Sequence, residues 1–448
     1  MREQSDVVVV GAGIVGIAVA YHLSVRFGVS DVCLVDPRPP LTLTSDKSTE
    51  CYRNWWPNRP MVALMNRSID LMEEMAVESG DAFALSRRGY LYVTADPDRL
   101  SALHRSAERT TGFGAGELRI HRAGSDRYVP ASASGWADAP DGADLFVGGD
   151  VLRRHFPFVS GDAVGGLHVR RAGWLDAQQF GMWMLDRGRD AGVRLVRERV
   201  VGFEVAGGRI RGVRLEGGAL VACRAAVVAC GPLLGDVAAK AGVHLPVLSE
   251  LHLKTAFRDR LRVVPRDAPM MIWADPQRLP WTDEERQMLV AEGRTDLVGV
   301  MPPACHGRPE GGADSPWVVA LWEFRREVCE PTFPVPVDPL YGEVVLRGMA
   351  TMIPGLSRYL EHLPTPVVDG GYYTKTPENR PLAGPAGPDG LYVAGAVSGF
   401  GIMAAAGLGE LVASEVVGGE PPPYGDAFAA TRYEDPRYRP DVDDTGQL

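Results

Sequence analysis

The chain opens on four consecutive valines, Val7 to Val10, and closes its first unit with a second short apolar run, Asp31 to Asp36 (DVCLVD). Short apolar runs bounded by glycine and polar residues read as buried strands, and the longer apolar stretch between them, Ile14 to Val25, reads as a helix. The opening therefore predicts a β-α-β unit. Residues 37 to 60, rich in Pro, Thr, Ser and Trp, lose all periodicity and predict a long loop. Met61, Leu64, Met65, Ile69, Leu71, Met72 and Met75 then recur near helical spacing. GYLYVTA (89 to 95) reads as a strand of a different layer. Residues 121 to 150 are Gly-, Ala- and Asp-rich without a clear period and predict a surface excursion. Gln178 to Ala191 predicts a helix and Val193 to Val196 a strand. Ile210 to Leu215 and Ala219 to Ala222, joined through Glu216-Gly217-Gly218, predict a hairpin. AAVVACG (225 to 231) is a buried strand stopping at glycine. Residues 245 to 350 mix strands with Pro- and Trp-rich stretches and predict a separate substrate-facing sheet. LYVAG (391 to 395), a Gly-rich turn and a helix from Met403 to Val417 return to the opening pattern, and the last twenty residues predict a loosely docked polar tail.

Composition narrows the classes. A chain of 448 residues exceeds one simple core, so two intertwined domains are expected. A net charge of -10 disfavours nucleic acid and anionic membrane as partners, both of which would repel it. No apolar run reaches the length of a membrane span, and the N-terminus enters its first strand without an export signal. The six cysteines include no CxxC pair and the nine histidines no metal-ligand spacing, so a reduced, cytoplasmic protein without a metal site is expected. Only four of the 47 basic residues are lysine: Lys47, Lys240, Lys254 and Lys375. Where arginine is so dominant, a retained lysine can mark a need for an amine of tunable pKa, although surface retention explains Lys240.

VVVVGAGIVGIAVA carries the strongest chemical signal. Gly11 permits the tight turn, Gly13 lets backbone approach a pyrophosphate, and Gly16 lets the helix pack closely on the strands; the helix N-terminus presents free N–H groups. Asp36, twenty residues beyond Gly16, stands where a carboxylate accepts a ribose hydroxyl and repels a 2′-phosphate. No second GxGxxG occurs, and GFGAG (112 to 116) lacks a preceding strand and reads as a loop, so FAD is expected rather than NAD(P). GLYVAGAVSGFGIMAAAGLGELVA supplies a second strand-turn-helix, with Gly395, Gly399 and Gly401 in the turn. Its helix N-terminus suits the flavin edge where negative charge develops on reduction.

GAGIVG…VDP, SDKSTECYRNWW, AGWLDAQQF, VVACGP, GGYYTKTPENRPLAG and SGFGIMAAAGLGE together resemble the FAD-dependent D-amino acid oxidase (DAO) superfamily, in its glycine oxidase, sarcosine oxidase and dimethylglycine dehydrogenase branch. The resemblance implies an α/β chain, α+β overall. A glutathione-reductase-like FAD-binding Rossmann domain (1-88, 151-240 and 365-430) would be interleaved with an antiparallel-sheet substrate domain (89-150 and 241-364), leaving 431-448 as a tail. It also implies hydride transfer from the carbon beside an amine to flavin N5, giving an imine. Within its motifs Ile14, Val15, Pro37, Phe400, Ile402 and Met403 would join the glycines around FAD. Lys47, Ser48 and Thr49 would wrap the flavin and pyrophosphate, Val200 would meet adenine and Gly231 would close that side. Arg53 and Tyr373 would face substrate. Gly371 stands where sarcosine oxidases attach flavin through cysteine, and the flavin-carrying histidine of dimethylglycine dehydrogenases is missing near Tyr52 and Arg53, so FAD is expected to be non-covalent. Met403 replaces the carboxylate-binding lysine of the branch.

For the substrate side, Lys254 and Lys375 are candidates for a base, an oxygen-activating cation or a carboxylate clamp, and equally for solvated strand lysines. Arg308 is a candidate bidentate carboxylate contact, and His306 a base or a loop histidine bonded to backbone. Trp55, Trp56, Trp317 and Trp322 are candidate pocket walls, the last two equally core residues. The leading expectation is C–N oxidation of a small-molecule amine or amino acid, with O2 or an electron-transfer partner as acceptor. Oxidation of a 2-hydroxy acid is the alternative, and a non-catalytic FAD module the third.

Overall fold

The structure is a computed structural model that describes residues 2–125 and 127–442. Val7–Val10, Val32–Val35, Ala225–Val228, Leu391–Gly395 and Val193–Val196 form a parallel sheet, and Leu382–Pro385 adds an antiparallel edge to Leu391–Gly395. Alternation divides the valine run between two layers. Val7 and Val9 pack with the helices Ile14–Tyr21, Arg59–Ser79, Ala177–Asp190 and Gly401–Val416. Val8 and Val10 pack with Phe203, Ile210 and Val213 of a four-stranded sheet on the opposite face. The opening helix continues as a π-helix over His22–Arg26, so the expected helical stretch is present with a changed pitch. GFGAG follows the helix Pro97–Thr111 as a loop.

The second layer is a nine-stranded sheet ordered Val367–Lys375, Leu248–Arg258, Trp317–Leu321, Cys305–Pro309, Met270–Trp273, Tyr90–Thr94, Gly165–Val169, Ala143–Val147 and Leu118–His121. Its pairs are antiparallel except Met270–Trp273 with Tyr90–Thr94 and Leu118–His121 with Ala143–Val147. Gly165–Val169 and Val367–Lys375 thus pair in this sheet, although the sequence places their stretches with the nucleotide-binding part. Between the layers, Cys51–Arg53 in the long loop pairs with Ala172–Trp174, which anchors an otherwise irregular segment.

One element carried no expectation, and two further expectations need correction. The helix Pro97–Thr111 was not anticipated, although Asp96 accepts from Asp98 N at 2.8 Å and Pro97 starts it, a recognisable N-terminal signal. Residues 121 to 150 hold a strand, Ala143–Val147, and a helix, Gly149–His155. The strand was masked by Asp144, which is buried because Arg170, Arg119 and His121 contact it at 2.6, 2.8 and 2.9 Å. The tail is docked as far as it is described: buried Glu378 receives Arg432 Nη2 at 2.7 Å and the hydroxyls of Tyr433 and Tyr438 at 2.7 and 2.9 Å. Residues 443–448 lie outside the described residues.

Candidate functional site

The glycine turn has the geometry its sequence suggests. Gly11 adopts φ +109°, and a Cβ there would lie 2.5 Å from Ala229 O. A Cβ at Gly16 would lie 1.9 Å from Gly11 O, so only hydrogen fits between helix and turn. At Gly13 the nearest atom to an added Cβ is Ser45 Oγ, at 3.4 Å, which leaves open space in front of the turn. The helix N-terminus there has no acidic residue in its first turn; Ile14 N donates to Ser45 Oγ at 3.0 Å. Asp36 accepts from Ala12 N at 2.9 Å through one oxygen and from Arg38 N at 2.8 Å through the other. A carboxylate has lone pairs to spare beyond these two bonds.

Two cavities meet at this turn. One, of about 1190 Å³, is lined by Gly11, Asp36, Pro37 and Val200. The other, of about 870 Å³, is lined by Ile14, Val15, Lys47, Ser48, Thr49, Gly395, Gly399, Gly401 and Ile402. Both include Gly13, Thr44, Ser45 and Gly231, so together they make one trench from Asp36 to the second Gly-rich turn. Thr44 Oγ1 is buried there without a hydrogen-bond partner, which a bound polar ligand would satisfy. At the far end Ala396 and Ser398 adopt φ +54° and +38°, a left-handed backbone rare for residues with side chains. That turn delivers the N-terminus of Gly401–Val416 to the trench without a side-chain cap. The residues present fit an extended dinucleotide, and Gly13, common to both cavities, would let backbone approach its pyrophosphate.

A third cavity, of about 460 Å³, shares Thr49, Leu321, Tyr373 and Gly399 with the far end of the trench. Arg53 and Glu323 both line it, as do His306, Phe400 and Met403. Arg53 is buried, donates to Tyr92 Oη at 2.7 Å and lies over Trp56 at 4.8 Å. His306 Nδ1 sits 2.7 Å from Ala304 O and must donate to that carbonyl, which leaves Nε2 as the lone-pair nitrogen. Burial pushes its pKa down, with the Ala304 contact opposing, so the ring is neutral. Burial, and then the charge of Glu323, push the Tyr373 phenol upward, so it keeps its proton.

Behind Tyr373 lies a buried polar chain that sequence reasoning missed. Tyr373 stacks on His252 at 3.8 Å; His252 Nε2 meets Glu250 at 3.2 Å and its Nδ1 lies 3.6 Å from Glu323. Lys375 closes the chain on Glu250 at 2.7 Å. Burial alone would raise the Glu250 pKa, but the bonds from His252 and Lys375 outweigh it and hold the carboxyl below its usual range. The available signals were alternation in SELHLKTAF, which puts Glu250, His252 and Lys254 on one face, and the lone acid Glu323 just past an apolar strand.

A family model, DAO: FAD dependent oxidoreductase, matches residues 6–415. The chain belongs to this family. Sarcosine oxidase subunit beta of Rhizobium meliloti (strain 1021) is 26% identical over 267 residues, covering 57% of this chain and 56% of that subunit. The chain thus spans little more than half of the curated relative it matches. L-proline dehydrogenase from P. horikoshii superposes with a TM-score of 0.75 at 19% identity, covering 98% of this chain and 100% of that one. Glycine oxidase from Geobacillus kaustophilus gives 0.70 at 17% identity, with 94% and 96% covered. The latter two are likenesses of fold. The family is one of FAD-dependent oxidoreductases, and among the described residues no helix is long and apolar enough to cross a membrane.

The candidate residues divide clearly. All the FAD candidates line the trench or the cavity beside it except Gly16, which packs the helix. Lys254 lines the trench, donates to Ser48 O at 2.9 Å and lies 3.8 Å from Asp369. Lys375 and Arg308, the other two candidate substrate contacts, line none of these cavities. The Lys375 amine is taken by Glu250, and Arg308 is spent on Thr49 O, Glu50 and Glu310. Trp56 walls the 460 Å³ cavity, whereas Trp322 is a core residue donating to Pro302 O. Trp317 lies under Arg258 away from the site.

Proposed function

We propose that the chain oxidises the C–N bond of an amino acid or a secondary amine, using FAD held without a covalent link. The observation that carries this reading is that one guanidinium, Arg53, and one carboxylate, Glu323, line the same small cavity beside Tyr373 and Gly399. An amino acid matches that pair in charge, its carboxylate toward Arg53 and its ammonium toward Glu323. FAD supplies the hydride acceptor, flavin N5, and the oxidised product is an imine that hydrolyses. The protein's own part is to orient, deprotonate and exclude water. The neutral His306 ring presents Nε2 as a base for the ammonium proton. The protonated Tyr373 phenol serves as a hydrogen-bond donor, and Phe400, Met403 and Leu321 keep the cavity apolar elsewhere. The names of the relatives support the reading, since sarcosine, proline and glycine are all amino acids.

Non-covalent binding is supported by Gly371, which offers the trench no nucleophile. It is also supported by Cys51, whose thiol burial pushes upward and which donates to Thr49 O at 3.1 Å. Acid precipitation of the holoprotein should therefore release all of the yellow colour, and flavin retained in the pellet would overturn this part. We place the protein in the cytoplasm on its reduced-type cysteine pattern, with O2 or an electron-transfer protein as acceptor.

His306 keeps a second reading in play, because a neutral base at this point also suits removal of a hydroxyl proton from a 2-hydroxy acid. Glu323 opposes it, since a hydroxy acid brings no cation to meet that carboxylate. The test is anaerobic flavin bleaching with parallel amine and hydroxy-acid panels, on the parent and on Glu323→Gln. Bleaching by amines, with kcat/KM reduced about tenfold or more in the variant, is expected from loss of one charged hydrogen bond worth roughly 1.5–3 kcal/mol. Bleaching by hydroxy acids alone would replace the first reading with the second.

A further inference from the structure

Beyond Arg53 and Trp56 the molecule holds another cavity, of about 850 Å³, which the chemistry above does not use. Arg53 and Trp56 line both this outer cavity and the 460 Å³ inner one, so the two meet at the guanidinium that we read as the carboxylate anchor. One wall is a stripe of the helix Pro97–Thr111: Arg99, Leu103, Ser106 and Thr110 follow at steps of three and four residues and face the same way, so a half-buried guanidinium stands beside the apolar groups. Ile272 and Ala274, at the end of the strand Met270–Trp273, form the opposite wall. Close packing would normally fill such a gap between a helix and a sheet, because side chains bordering a void lose their contacts. Here a half-buried leucine on the helix and a buried isoleucine on the sheet line one cavity instead.

We propose that the outer cavity is a substrate subsite for a bulky apolar or aromatic substituent, so that the substrate is an amino acid or amine derivative extended well beyond the size of glycine or sarcosine. With the carboxylate on Arg53 at the junction, the reacting carbon lies in the inner cavity and the substituent runs outward over Trp56 between Leu103 and Ile272. The proposal rests on the reading of Arg53 as the anchor; the subsite itself, unlike the amine character of the substrate, does not depend on whether a C–N or a C–O bond reacts.

Unreactive carboxylates separate the two questions. The holoprotein is titrated with acetate and with 4-phenylbutyrate, and binding is read from the shift in the visible flavin spectrum. Phenylbutyrate should bind at least tenfold more tightly than acetate. Leu103→Trp and Ala274→Phe, which narrow the outer cavity from opposite walls at incompletely buried positions, should each bring that ratio toward one. Equal affinities in the parent, or a ratio unchanged in both variants, would overturn the subsite even if amines reduce the flavin. A preference for phenylbutyrate that the variants erase sustains the subsite even if the amine panel fails.

Discussion

Replacing Arg308 with alanine tests how the fold holds the loop that lines the trench at Ser48 and Thr49. The side chain is 1% exposed, and its Nε and Nη2 both donate to Thr49 O, at 3.1 and 2.7 Å. Nη1 donates to Pro309 O at 3.2 Å, Glu50 and Glu310 pair with the guanidinium at 3.4 and 2.7 Å, and Trp174 lies beneath it at 4.9 Å. Alanine would leave the Thr49 carbonyl with only the weak Cys51 thiol donor and leave Glu50 without its cation. Burial already raises the Glu50 pKa and Arg308 opposes that rise, so the carboxyl would move higher still. Breaking a buried ion pair costs about 3–5 kcal/mol. Glu50 and Glu310 are 27% and 38% exposed, so water recovers part of this, and about 2–4 kcal/mol is expected. Arg308→Lys keeps the charge but not the planar fork and should lose about half as much. Urea unfolding of the apoprotein reads the stability. Because Ser48 and Thr49 line the trench, FAD affinity measured by fluorescence quenching should also fall by about tenfold, equivalent to roughly 1.4 kcal/mol. A stability change of less than about 0.5 kcal/mol, the size of an ordinary surface substitution, together with unchanged FAD affinity would refute the reasoning.

Two other outcomes follow from the same physics. Gly16→Ala puts a Cβ 1.9 Å from the Gly11 backbone and should abolish FAD binding or folding, whereas Gly13→Ala meets only Ser45 Oγ at 3.4 Å and should fold while binding FAD weakly; thermal melting with and without FAD separates them, and a normal Gly16→Ala holoprotein would contradict the packing. Burial pushes His22 and His168 down to about 4 and about 3, below the ordinary value near 6.5, so the unfolded chain takes up their protons first as pH falls. Their contribution is complete above about pH 6.5 and is lost toward pH 4 and 3, so unfolding free energy should drop by roughly 4 kcal/mol from pH 7.5 to 5; a flat profile over that range would count against neutral burial of both rings.

The nucleotide half of the molecule was legible because its chemistry is local. Gly11, Gly13, Gly16 and Asp36 lie within one β-α-β unit, and the backbone demands on each glycine can be stated from the turn alone. The second Gly-rich segment was legible for the same reason. What escaped were elements whose character depends on distant partners. Ala143–Val147 looks like a polar surface stretch until Arg170, far along the chain, neutralises Asp144. The tail looks loose until Arg432 reaches Glu378.

The substrate side illustrates the limit most sharply, because two lysines with similar strand contexts meet opposite fates through register alone. Leu248–Arg258 pairs antiparallel with Val367–Lys375, placing Glu250 opposite Tyr373, His252 opposite Gly371 and Lys254 opposite Asp369. Alternation puts all six on one face. Gly371 lets Thr44 pack against the strand beside His252, Tyr373 leans over the imidazole, and Lys254 reaches the Ser48 carbonyl. Lys375, opposite Leu248, falls one diagonal from Glu250 and is consumed by it. A slip of two residues would keep every side chain on its face yet exchange these partners, moving Lys375 rather than Tyr373 opposite Glu250. The pattern of the two strands shows which residues share the face, and only their pairing shows which of them is left to meet a ligand.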